Sequence, residues 1–355
     1  MAANESATTG IAVEQTLDWR SAPVTAIVQR ALEEDLGGGD LTTEGVLPAP
    51  VAARATFIAN EVSLIAGLPL TARVFELLDP NASFLALVPE GAMVSRGHRL
   101  AEVRGDARAL LKGERVALNF LQRLSGIATL TRRYVSRIAG TKAKILDTRK
   151  TAPGLRLLER YAVRVGGGSN HRMGLYDAIL IKENHAELAG GIAEAVRRAR
   201  STYGHHHPIQ AEVRDEAELR AALEAGADAL LLDNMAPAQV KLGVEVVAGR
   251  AWVEASGNIR VENVRAYADT DVDYISVGAL THSADSIDIS LDLVREPPPG
   301  CRVDLDPHGA IGRDVRLAFG DDFGRRRPRP EPPRGWPPAS PFAPAWIPGV
   351  VVGKP

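Results

Sequence analysis

Six short apolar runs, beginning near Ile145, Ala178, Ile209, Ala229, Trp252 and Tyr274, limit what the second half of this chain can become. Amphipathic helical segments at 216–225, 237–248 and 261–269 fall between the last four. Strand and helix therefore alternate at a spacing of roughly 20 residues, the rhythm of βα units in a parallel sheet. The runs also share an ending. Polar residues stand at or just past each one: Asp147 to Lys150, Lys182, Glu212, Asp233, Glu254 to Gly257, and Ser276 to Gly278. In a (β/α) barrel those strand ends converge on one face, where catalytic groups collect. The same ending on six strands favours a barrel over an open sheet.

The first half reads differently. Residues 21–36 place Val24, Ile27, Val28, Ala31 and Leu32 on one helical face, with Ser21 as N-cap and Pro23 in the first turn. Gly37, Gly38, Gly39 and Asp40 end that helix in a turn, and no Gly-Lys-Ser/Thr follows to make a P-loop. Residues 51–105 contain short strands around one helix at 68–78, which suggests an α+β domain. A long helix follows over 112–138, with Leu118, Leu121, Leu124 and Ile127 on one face and a break expected at Ser125–Gly126. Arg115 falls in its first turn, where the residues alone read it as an ordinary solvated arginine.

Lys+Arg 42 against Asp+Glu 44 leaves a net charge of −2, which argues against nucleic acid or an acidic membrane surface as partner. The single cysteine, Cys301, can build neither a disulfide nor a cysteine metal site and suits a reducing cytoplasm. No apolar run approaches the ~20 residues of a membrane span. Residues 1–15 read as a disordered tail. Of the 23 prolines, 14 fall in 297–355, a composition that cannot continue the βα pattern and reads as a loosely docked extension.

Positive charge is concentrated between 144 and 185. Arg149 and Lys150 follow one apolar run, Lys182 follows the next, and Asn170, His171 and Arg172 come just after three glycines. Cations at strand ends beside a glycine-rich loop suit a substrate with several negative charges. Glu212 and Asp233 end consecutive strands, and two such carboxylates can hold a Mg²⁺ carrying phosphate, or accept from sugar hydroxyls. The 168–172 loop, Ser256–Gly257 and Val277–Gly278 offer backbone and hydroxyl donors suited to phosphate oxygens. Lys182 could alternatively form a Schiff base, although the surrounding cations favour anion binding. His205, His206 and His207 precede a proline and cannot all face one ion, so they read as a surface turn.

The block DTRKTAPGLRLLERYAVRVGGGSNHRMGLYDAILIKENH, with LLLDNM, EASGNI and YISVGALTHSA, closely resembles the quinolinate phosphoribosyltransferases. EDLGGGDLTT and GERVALNFLQRLSG carry the resemblance into the first half, so that it covers about 20–293. It implies an N-terminal α/β sandwich of residues 16–125, onto which the chain end at 280–296 can pack back. An incomplete α/β barrel of 126–279 follows, and the chain works as a homodimer. The implied reaction joins quinolinate to 5-phosphoribosyl 1-pyrophosphate, giving nicotinate mononucleotide, pyrophosphate and CO₂ with Mg²⁺ and no organic cofactor. By resemblance, Arg149, His171, Arg172 and Lys182 hold the quinolinate carboxylates, with Arg115 arriving from the partner chain. Lys150 lies between the two substrates. Glu212 and Asp233 meet the ribose hydroxyls and Mg²⁺, directly or through water, and Ser256, Gly257 and Gly278 take the 5′-phosphate. Asn258 continues that loop, and asparagine tolerates positive φ better than most residues.

Overall fold

The computed structural model describes residues 17–296, so the tail expected at 1–15 and the proline-rich extension at 297–355 lie outside the described residues. Helix α1 (Ala22–Leu36) buries Val24, Val28 and Leu32. Ser21 precedes it, but its hydroxyl donates back to the Asp18 carbonyl at 2.6 Å rather than capping the helix. The expected turn at 37–40 leads into a further short helix, α2 (Leu41–Val46), which Asp40 caps by accepting from the Thr43 N–H at 2.9 Å.

Strands β1 (Ala52–Ala59) and β2 (Ser63–Leu64), helix α3 (Leu68–Leu78), and strands β3 (Ser83–Ala86), β4 (Met93–Val94) and β5 (Arg99–Asp106) complete the first half. Burial along β1 alternates, with Ala53, Ala55, Phe57 and Ala59 turned into the core, and the Phe57 ring packs edge-on against Phe75 of α3. Strand β12 (Ile289–Arg295), the last described element, returns to pair antiparallel with β1, completing a sheet in the order β12-β1-β5-β3.

Helix α4 (Ala107–Arg137) runs unbroken for 31 residues, starting five residues earlier than the pattern indicated. Arg115 therefore lies about two turns in. The expected break at Ser125–Gly126 is absent, because these small residues serve close packing instead. The Ser125 hydroxyl accepts the Ala66 N–H at 3.1 Å, and a Cβ at Gly126 would come within 1.9 Å of the Asp285 carbonyl oxygen.

The second half is the expected alternation. Strand β6 (Lys144–Leu146) leads through helix α5 (Arg156–Val165) to β7 (Ile179–Ile181), α6 (Glu183–Ala189) and α7 (Ile192–Tyr203). Strand β8 (Ile209–Val213), α8 (Glu216–Glu224), β9 (Ala229–Asp233), α9 (Pro237–Val247), β10 (Trp252–Ser256), α10 (Val264–Ala268), β11 (Tyr274–Ser276) and α11 (Ala279–His282) follow. The six strands are parallel in the order β6-β11-β10-β9-β8-β7. Gly243 of α9 packs against Leu232 and Leu219, so Leu230 and Leu232 face the helices while Leu231 and Asp233 turn to the opposite face. Strands β6 and β7 are the two edges. Among the described strands no ladder joins them, and only an isolated bridge from Leu146 to Ser169 enters the gap. The barrel is open at this seam, where the strip around Ser169 bonds to the end of β6.

Candidate active site

Lys182 follows β7, and its Nζ lies 2.7 Å from Glu212 Oε2 on the neighbouring strand β8. Half-exposed and ion-paired, Lys182 lacks the enclosed apolar pocket that a Schiff-base lysine requires. Asp233, ending β9, has its carboxyl pushed up by burial and then by the charge of Glu212, with Lys182 and Lys150 pulling it back. Lys150 crosses the end of β11: a Cβ at Gly278 would come within 2.9 Å of its Cδ. Arg149 lies near enough to Arg172 that burial, followed by this neighbour's charge, depresses the Arg172 pKa. Residues from the ends of β6, β7, β8, β9 and β11 thus meet at one mouth. Arg172 donates from one terminal nitrogen to the Ala178 carbonyl at 2.9 Å, while its buried Nε has no partner. A buried guanidinium N–H left open calls for an acceptor from outside the chain.

Ser256 and Gly257 end β10 beside Asp233. The Asn234 N–H donates to the Ser256 carbonyl at 2.8 Å, and Asn234 Nδ2 donates to Asp233 Oδ2 at 2.6 Å. Gly257 has φ 93°, and a Cβ there would meet Asn234 Oδ1 at 2.2 Å, so the backbone passes where only glycine fits. Asn258 adopts φ 52° and donates to that same oxygen at 3.0 Å, which keeps the loop closed against β9.

Of the 168–172 loop's backbone donors expected to face phosphate, several are engaged within the chain: the Ser169 N–H on the Ile145 carbonyl, the His171 N–H on Asp147 Oδ1 at 2.7 Å, and the Arg172 N–H on His171 Nδ1 at 2.7 Å. With Nδ1 accepting, the imidazole proton sits on Nε2, which lies 3.4 Å from the Glu254 carboxylate. Burial lowers the His171 pKa, but the hydrogen bond and charge of Glu254 outweigh it, and the net shift is upward. Arg115 is exposed, and among the described residues no hydrogen bond or ion pair ties it to this cluster.

Buried acids, two of them strand-end residues and one, Glu159, not singled out from the sequence, support the cations from behind. Asp147, fully buried, accepts from Asn170 as well as from the His171 N–H and faces Arg160 at 3.6 Å. Glu159, also fully buried, accepts from Arg123 and from the Ala152 N–H just past Lys150. Glu254 completes this set of buried acids and also accepts from Gln210 at 2.8 Å. Buried carboxylates each holding a cation or a loop amide offset the repulsion of so much positive charge. The arginines of α5 stand at 156, 160 and 164, spacings of four that place them on one helix face toward the loop. That spacing in RLLERYAVR was the available signal, but a solvated face gives the same one.

Glu212 and Asp233 together suit a Mg²⁺ ion that keeps several waters and binds phosphate oxygens, since such an ion needs only one or two protein carboxylates. Among the described residues no group of three or more His, Cys, Asp or Glu could hold a metal by itself. His205, His206 and His207 lie in a turn, as expected. No described helix is long and apolar enough to cross a membrane.

Two family models match the chain: the N-terminal domain of quinolinate phosphoribosyl transferase over residues 40–125 and its C-terminal domain over 127–292. A probable nicotinate-nucleotide pyrophosphorylase [carboxylating] of Bacillus subtilis is 46% identical over 260 residues, covering 73% of this chain and 90% of that protein. A protein of the same description from Synechocystis is 41% identical over 271 residues, covering 76% and 92%. The solved structure of the nicotinate-nucleotide pyrophosphorylase from Francisella tularensis superimposes with a TM-score of 0.73 at 41% identity, covering 77% of this chain and 96% of that one.

Proposed function

The chain belongs to the quinolinate phosphoribosyltransferase family, and from that premise we propose that it converts quinolinate and 5-phosphoribosyl 1-pyrophosphate to nicotinate mononucleotide, pyrophosphate and CO₂. The observation that carries this reading is the unpartnered buried Nε of Arg172 inside a cationic mouth that also contains two acids. Arg149, Arg172 and Lys182, with His171 behind Arg172, form the pocket for a dicarboxylate. A monoacid such as nicotinate would need fewer cations. Ser256, Gly257 and Gly278 lie where small strand-end residues of such barrels receive a phosphate.

In the proposed reaction the pyridine nitrogen attacks C1 of the ribose as the C1–O bond to pyrophosphate breaks. Glu212 and Asp233 oppose the positive charge that develops on the ribose and accept from its hydroxyls. Lys150, placed beside Asp233 and Gly278, balances the charge of the departing pyrophosphate. Mg²⁺ held by Glu212 and Asp233, directly or through water, supplies further neutralisation of the phosphates when bound. The alkylated ring nitrogen is cationic, so its charge stabilises the electron pair left on C2 when the adjacent carboxylate departs as CO₂, and C2 then takes up a proton. No organic cofactor is needed. The single cysteine makes a reducing cytoplasm the proposed compartment.

We propose that the working unit is a homodimer in which Arg115 completes the quinolinate site of the partner. Arg115 is exposed and unengaged, and the neighbouring α2 and α4 leave Leu41, Val46 and Leu111 at 88%, 70% and 37% exposure. An apolar patch around an unpaired arginine fits a second copy of this chain. The test of the substrate assignment compares two acids on the purified protein with phosphoribosyl pyrophosphate and Mg²⁺. Nicotinate mononucleotide should form from quinolinate and not from nicotinate; formation from nicotinate alone would reassign the cationic pocket.

A further inference from the structure

In a closed barrel a backbone ladder would fix the distance between β6 and β7. Here that ladder is missing, and the residues proposed for quinolinate sit on both sides of the gap. Arg149 and Lys150 leave β6, while His171 and Arg172 lie on the strip that precedes β7. Arg149 and Arg172 are like charges on the two sides of the seam, and after burial the Arg149 charge is what holds the Arg172 pKa down. Backbone and Asp147 bonds join the strip to β6 at 169–171, and beyond them the repulsion must be opposed by other contacts.

Asp147, just past β6, already pins the inner end of the strip by accepting the His171 N–H at 2.7 Å, and a second side chain ties its outer end. Arg156, at the start of α5, donates from Nε to Thr151 Oγ1 at 3.0 Å and from one terminal nitrogen to the Met173 carbonyl at 3.0 Å. Its other terminal nitrogen reaches the Arg149 carbonyl at 3.4 Å. Its planar fork therefore spans from the 149–151 turn to the strip carrying Arg172. Arg160, one turn on, also donates to carbonyls, those of His171 at 2.5 Å and Arg172 at 3.1 Å. Arg160 also faces Asp147 at 3.6 Å and so braces the inner end of the strip, while Arg156 holds its outer end against the 149–151 turn.

We infer that Arg156 is a positioning residue that closes the open seam of the barrel, and through it sets affinity for the dicarboxylate without touching the substrate. The inference rests on the proposed assignment of quinolinate to this mouth. It also separates the two substrates. Glu212, Asp233, Ser256 and Gly278 stand on or just past β8 to β11, which are joined by continuous ladders, so of the groups proposed for the phosphoribosyl donor only Lys150 lies at the seam.

The test is Arg156→Lys, which keeps the charge but replaces a planar fork of donors with a point charge. The KM for quinolinate should rise about tenfold, the scale of a lost hydrogen bond to a charged group. The KM for phosphoribosyl pyrophosphate, which meets the seam only through Lys150, should rise by a clearly smaller factor, and the melting temperature should be nearly unchanged. Thr151→Val, which removes one acceptor, should shift the quinolinate KM in the same direction by a smaller factor. Equal increases in both KM values, or an unchanged quinolinate KM in both variants, would overturn the inference. Turnover of quinolinate by the wild type, measured alongside, tests the substrate assignment separately.

Discussion

Asp233 stands beside Glu212 in the mouth, a neighbour of like charge. Burial and the Glu212 charge raise the Asp233 pKa above its ordinary 3.8. The folded state therefore holds this proton more tightly than the unfolded chain, and ionising Asp233 costs stability as pH rises through its value. Activity runs the other way, because only the carboxylate can meet the ribose or Mg²⁺. The acid limb of kcat/KM for phosphoribosyl pyrophosphate should lie above pH 3.8. Glu212→Gln removes the like charge, so whatever activity remains should show that limb at lower pH; an unmoved limb would uncouple the two acids. Asp233 and Glu212 were legible in the sequence because an acid after LLL or within QAEV marks where a strand leaves the core. Arg156 and Glu159 were not, since a helical face of charge looks the same whether it meets water or a loop. Asp147 and Glu254 were seen as strand-end residues, but their buried partners depend on contacts far along the chain.

At the scale of elements, periodicity located the strands well, with β8, β9, β10 and β11 beginning where the apolar runs begin. Helix α5 went unread because its RLLERYAVR pattern sits inside a stretch dominated by charge and glycine. Helix α4 was read too short and with a break that it does not have. Glycine after serine commonly interrupts a helix, but here a tertiary contact overrides the local preference. Gly126 lets the Asp285 carbonyl approach to where a Cβ would stand at 1.9 Å. Gly126→Ala would suit an isolated helix, yet in this protein it should destabilise by about 1–3 kcal/mol through overpacking. Urea unfolding monitored by circular dichroism checks this. A neutral or stabilising result would mean that the 285–286 segment moves aside freely.

At the scale of the whole molecule, the proposed homodimer can be tested through Arg115, which is exposed and unengaged among the described residues. If Arg115 and Lys150 serve the same site from different chains, Arg115→Ala and Lys150→Ala should each lose most activity as homodimers. Mixing them under exchanging conditions would create dimers with one intact site, restoring about a quarter of wild-type activity for random 1:2:1 pairing. No recovery in mixtures shown to contain hybrids would place Arg115 in its own chain's site or outside the chemistry. Such a cross-chain contribution cannot be read from composition or periodicity, because a solvated arginine and an interface arginine have the same sequence context. The central claim is the coupled reaction itself. Its most direct test uses quinolinate labelled in the 2-carboxyl group, with phosphoribosyl pyrophosphate and Mg²⁺. Labelled CO₂ and nicotinate mononucleotide should appear together in equal amounts, and neither without the phosphoribosyl donor. Nucleotide formed without CO₂ release, or no product from folded protein, would contradict the account.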